Sequence, residues 1–229
     1  MPEPVADRVV RVWDLPTRIF HWALALSFIG SVVSAKIGGN AMVWHFRLGY
    51  LALALIVFRL LWGVLGGHWS RFAQWLYGPA ALGRYLRSRA LPGERFDIGR
   101  SPLGTLSIAA MLAFLMFQIT TGLIADDEIA NIGPFNRFVS SALAAKATAY
   151  HKNIGQWVLI ALVALHIAAI VYYLVVKRQN LTAAMWHGDK QMPAGIVASQ
   201  DTARTRALAL VLAAISGGGV AALITWGNA

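Results

Sequence analysis

Six histidines and one misplaced arginine are the residues whose types and positions could do chemistry. The chain has no cysteine, which excludes disulfides, zinc–thiolate sites, iron–sulfur clusters, thiol catalysis and covalent c-type haem attachment. Imidazole is then the one soft nitrogen ligand available to a transition metal. His21, His45, His151 and His166 lie inside or at the ends of long apolar stretches. Ionisable groups are costly there and mark a functional site by default. His151 and His166 stand 15 residues apart, about 22 Å along a helix and roughly 60° apart in direction, so they share a broad face. His68 and His187 fall in connections, where ordinary surface roles account for them.

These histidines need rigid elements of membrane length. Of the 229 residues, 58% are hydrophobic and only 13% charged, against about 25% charged in an ordinary soluble domain. That excludes a disordered chain and argues against a soluble globular one. Five stretches approach the roughly 20 residues a bilayer crossing takes: 19–35, 46–65, 103–125, 154–176 and 207–226. The third and fourth contain no Asp, Glu, Lys or Arg, whereas the fifth carries Gly217, Gly218 and Gly219 at its centre. The first is read as retained, because cleavage near Ala35 as a signal peptide would remove His21.

The Lys/Arg distribution orients the crossings. Fourteen lie on the N-terminal tail, the connection after the second span and the segment after the fourth; five lie on the other side. The N-terminus is therefore expected on the cytoplasmic side of the membrane. The net charge of +10 then reads as a rim facing anionic lipid, with no nucleic acid involved. Running the spans in alternate directions sets His45 level with His151 near the outer surface, and His21 level with His166 in the inner half. Two such pairs can each hold a non-covalent haem b between two imidazoles.

Arg59 lies 14 residues beyond His45, about 21 Å further along the helix and about 40° off its face. It either pairs with a haem propionate or snorkels to the headgroups. Gln118, Thr120, Thr121, Asp126 and Asp127 are polar enough to meet a quinone, though packing and loop solvation explain them more simply. Two other readings compete. A haem-free transporter or membrane anchor would use the histidines for a divalent metal or a proton relay, but the spans contain no Asp or Glu to help them. A membrane oxidoreductase reducing a small oxidant at a haem edge would need the same four ligands.

Several separated motifs occur in an order that resembles the bacterial cytochrome b561 family, which is related to the b-type subunit of nickel–iron hydrogenases. They are the run from Val12 through Trp13-Asp14-Leu15-Pro16-Thr17 to His21-Trp22, the second span from Trp44-His45 to Trp62-Gly63, Arg71-Phe72, Gly78-Pro79, Ser101-Pro102-Leu103-Gly104, Ala125-Asp126-Asp127, His151, and Leu165-His166-Ile167-Ala168-Ala169. The resemblance covers roughly residues 9–190. It implies an all-α integral membrane protein, a four-helix bundle with two bis-His haems over residues 1–190; the fifth apolar stretch lies outside the resemblance, and residues 191–229 read as a linker and a fifth transmembrane helix. It further implies electron exchange between a quinone, ubiquinone or menaquinone, and a periplasmic cytochrome c, dehydrogenase or hydrogenase. In that family the first-span His pairs with the inner fourth-span His and the second-span His with the outer, the pairing reached above. Oligomeric state stays open, a homodimer included. The chain departs from the family pattern at Arg100, where a His is expected, and at Trp186-His187-Gly188-Asp189-Lys190.

Overall fold

A computed structural model describes residues 8–87, 89, 91, 99–193 and 195–229. In chain order it runs β1 (Arg8–Arg11), α1 (Leu15–Ile37), α2 (Met42–Leu65), α3 (Pro79–Leu86), α4 (Pro102–Leu123), α5 (Ser141–Tyr150), α6 (Gln156–Val175), α7 (Leu181–His187), β2 (Asp189–Met192) and α8 (Ala203–Asn228). Among the described residues, five helices are long and apolar enough to cross a membrane, matching the five expected stretches.

Their ends show why they start where they do. Asp14 caps α1, its Oδ1 accepting the Thr17 N–H at 2.8 Å, with Pro16 in the first turn where its missing N–H costs nothing. Ser101 caps α4 in the same way, accepting from Gly104 N at 3.1 Å, with Pro102 next in line. The fourth long helix begins well before the apolar stretch at 154–176, with α5. α5 joins α6 through a π-helical turn at His151–Gly155, making one helical span of 35 residues. The three central glycines do not break α8, which is continuous over 26 residues. Leu26, Ile29, Val33, Phe117, Leu165 and Val171 remain exposed, an apolar surface suited to lipid.

The chain divides into two compact units. The first comprises Met1–Phe20, Arg59–Ala109 and Ala168–Val211; the second comprises His21–Phe58, Ala110–Ile167 and Leu212–Ala229.

The first unit contains an antiparallel pair that the sequence reading treated as tail and linker. β1 lies against β2 in the register Arg8↔Met192 to Arg11↔Asp189. Val10, Val12, Trp13, Ala184 and Met192 form its apolar core. Gly188 ends α7 with φ 92°, and a Cβ there would stand 2.5 Å from the Trp13 carbonyl oxygen. Its own carbonyl accepts from Val12 N and Trp13 N at 2.8 and 3.0 Å. Arg11 binds Asp189 at 2.5 Å and Asp201 at 2.7 Å.

Below that core lies a closed polar centre around Asp14, which is 0% exposed. Besides Thr17 N, its carboxylate accepts from Trp62 Nε1 at 3.2 Å and Ser70 Oγ at 2.8 Å, and Gly67 leaves the space it occupies. Arg59 donates to Ser70 O at 2.9 Å, and Arg100 donates to Trp69 O at 2.6 Å. Trp75 receives both guanidiniums, Arg59 at 5.1 Å and Arg100 at 4.9 Å from its ring centroid. Burial, then the charge of Arg59, pushes the Arg100 pKa down to about 9, with Asp14 working against the fall.

In the second unit, Ala52, Leu53 and Ile56 of α2, Ile119 of α4, and Val220 and Ile224 of α8 form one buried cluster. The far end of α8 is held by Trp226, which stacks on Phe138 at 4.9 Å while its carbonyl accepts from Arg137 Nη2 at 2.8 Å. The C-terminal helix is thus part of this core.

Candidate functional site

All four histidines expected to act lie in the second unit. α1 supplies His21, α2 supplies His45, the π turn opens on His151, and α6 carries His166. They meet in the two expected cross-helix pairs. The rings of His45 and His151 are 5.9 Å apart between centroids at 89°. Those of His21 and His166 are 6.5 Å apart at 52°. Two imidazole nitrogens bound on opposite sides of one metal ion at about 2 Å each would hold ring centroids about 6 Å apart. Both pairs have that spacing.

The first pair is oriented from behind. His45 Nδ1 donates to the Ser31 carbonyl at 2.9 Å, with Ser31 Oγ at 3.1 Å. His151 Nδ1 donates to the Gln118 carbonyl at 2.9 Å, with Thr121 Oγ1 at 3.3 Å. A ring nitrogen that donates to a carbonyl carries the proton, so Nε2 keeps the lone pair that a metal takes. Gln118 contributes twice, because its side-chain amide also donates to the His151 carbonyl at 2.9 Å. Space for that amide exists because residue 155 is glycine: a Cβ there would collide with Gln118 Oε1. Gly122 plays the corresponding part beside the ring, where a Cβ would approach His151 Cε1 to 2.8 Å.

The second pair lacks such a backing. Among the described residues His21 Nδ1 is buried without a hydrogen-bond partner, and Trp22 meets the His21 ring edge-on at 5.0 Å. His166 has, among the described residues, the His21 ring as its aromatic neighbour.

Arg59 belongs to the first unit. It is 2% exposed, so it does not snorkel; it lies over Phe72 and Trp75 and keeps Nη1 buried without an acceptor. Asp127 is absorbed by its own turn, accepting from the N–H groups of Ile129, Ala130 and Asn131 and from the Asn131 amide. Those bonds, the Asn131 side chain foremost, hold its carboxyl well below the usual range. Among the described residues no three His, Asp or Glu gather into a metal cluster. Paired imidazoles with no third protein ligand suit an iron whose other positions belong to a macrocycle.

Ser31 and the π turn were not singled out from sequence, and Gln118 and Thr121 were noticed only for their polarity. A signal for Gln118 was present: a buried amide on an otherwise apolar helix needs a partner on a neighbouring helix.

The family model described as prokaryotic cytochrome b561 matches residues 12–188, a stretch that includes all four paired histidines. A probable Ni/Fe-hydrogenase B-type cytochrome subunit of Bradyrhizobium diazoefficiens is 26% identical, covering 82% of this chain and 88% of that protein. Proteins of the same description from Rhizobium leguminosarum bv. viciae and Cupriavidus necator are each 24% identical, covering 79% and 77% of this chain and 88% and 85% of their own lengths. No solved structure matches the chain.

Proposed function

The chain belongs to the prokaryotic cytochrome b561 family, a family of multi-pass helical membrane proteins that use haem b, and from that premise we propose that it is a dihaem electron carrier. His45 and His151 hold one haem b and His21 and His166 the other, each group bound through two imidazoles. The observation that carries this reading is the pair of ring spacings, 5.9 and 6.5 Å, each drawn from two different helices. Bound haem supplies a one-electron iron couple.

The rest is the work of the chain. Ser31 and Gln118 fix the tautomers of His45 and His151. The surrounding apolar side chains keep water and loose protons away from the pairs. Arg59, with one buried N–H unpartnered, offers a donor to a carboxylate such as a haem propionate.

The membrane is the bacterial inner membrane, with the N-terminus cytoplasmic, on the support of the Lys/Arg asymmetry. The outer partner is a periplasmic hydrogenase, dehydrogenase or cytochrome c. The relatives named as hydrogenase cytochrome subunits favour the first. The inner exchange is with the quinone pool. Residues 1–190 carry this function, and 191–229 add the helix that completes the second unit's core.

The test is haem per polypeptide on detergent-purified protein, by pyridine haemochrome assay with a dithionite-reduced spectrum. Two b haems per chain are expected. Protein from haem-replete cells that carries no haem would overturn the proposal and turn attention to transport.

A further inference from the structure

The two histidine pairs share residue type, spacing and partial burial, but they differ in what stands behind the rings. In one pair both Nδ1 atoms reach a backbone carbonyl at 2.9 Å. In the other, His21 Nδ1 is buried without a hydrogen-bond partner among the described residues, and the His166 ring has the His21 ring as its facing neighbour. An imidazole whose N–H donates to a carbonyl is the more basic ligand, and a more basic ligand favours the oxidised metal. The cations near the first pair, Lys36, Arg47 and Lys152, are all solvent-exposed, so water and salt screen their opposing pull. Direct hydrogen bonds to the ligands outweigh screened charges.

Resting on the dihaem reading, we propose that the His45–His151 centre has the lower reduction potential of the two. Ser31 and Gln118 act as the positioning residues that set the difference, through their carbonyls. An electron shared between the centres then resides preferentially at His21–His166. Gln118 has a distinct part, because its amide bond to the His151 carbonyl clamps the two helices and keeps its own carbonyl on the ring. Gly155 makes that clamp possible.

An optical redox titration of the purified full-length protein tests this. The wild type should titrate in two waves. His166→Ala should leave one centre, titrating at the lower wild-type potential, and His45→Ala should leave one at the higher. Either variant suffices if the other does not fold. Gln118→Leu, with both haems retained, should move the lower wave upward and leave the higher in place, a shift that a merely structural role would not confine to one wave.

Survival of the higher wave in His166→Ala, coincident waves in the wild type, or a Gln118→Leu shift in the upper wave alone would each overturn the proposal. Fewer than two haems in the wild type would instead remove the dihaem reading itself, and the assay of haem content reports that before any titration begins.

Discussion

The two units solve the same problem, polar groups in an apolar protein, in opposite ways. In the first, Asp14 at 0% exposure gathers three donors, and Arg59 and Arg100 reach backbone carbonyls and both lie over the Trp75 ring. Each carboxylate oxygen is used by the protein itself, as a buried charge requires. In the second, the imidazole pairs are matched at Nδ1 or not at all, and their rings face each other across helices. A polar centre that closes on itself holds helices together. One built from imidazoles paired across helices has room for a metal between them.

The comparison is best broken by asking which substitutions cost haem and which cost stability. The largest expected effect is His151→Ala, which should remove one of two haems outright and halve the pyridine haemochrome yield. Loss of both haems would mean that the pairs are not independent sites.

Asp14→Ala should act on the other side of the comparison. It removes the cap of α1 and the carboxylate that accepts from Trp62 and Ser70, a destabilisation of about 3 kcal/mol. A lower melting temperature in detergent, with two haems still bound by the folded fraction, is the expected outcome. Haem loss without a stability change would merge the two roles.

Gly122→Ala sharpens the second unit. Its Cβ would stand 2.8 Å from His151 Cε1, so the ring must shift, and retention of that haem should weaken about tenfold. Competition with a haem-scavenging apoprotein measures it.

The smallest effect is on the acid limb. Burial raises the Asp201 pKa, but the Arg206 and Arg11 guanidiniums more than offset this and leave it depressed. Its stabilisation is therefore present above the ordinary carboxylate value and lost as pH falls through the lower folded value. The contribution is under about 1 kcal/mol because Arg11 and Arg206 are partly solvated. Asp201→Asn should flatten the fall in melting temperature below about pH 4 and leave neutral stability little changed.

How much was legible in advance follows the same division. The histidine pairs were readable, because apolar runs fix span length and alternating direction fixes depth, so His21 falls level with His166 without any knowledge of contacts. The supporting bonds were legible only in that the lone amide of Gln118 calls for some partner on a neighbouring helix. Whether Gln118 reaches His151 depends on how two helices are rotated about their own axes, and neither span has a polar stripe to reveal that. The pairing of β1 with β2 was invisible for another reason: four residues beginning at Arg8 have no local signal for a partner at Asp189. Asp14 looked like one motif residue among several, and only the turn at Gly67–Ser70 shows why an acid is needed there.

The π turn at His151–Gly155 has a consequence for insertions and deletions. A π turn behaves as one residue added to an α-helix, so the 15-residue separation of His151 and His166 counts as about 14 helical steps. Their angular offset then changes from roughly 60° on one side to about 40° on the other. Deleting one residue from Lys152–Ile154 could be absorbed by reversion to plain α-helix, at the expense of the Gln118 bond. Deleting one residue between Gly155 and His166 has no such reserve and would swing His166 by about 100° away from His21. Length changes in this helix should therefore be tolerated on one side of Gly155 and punished on the other.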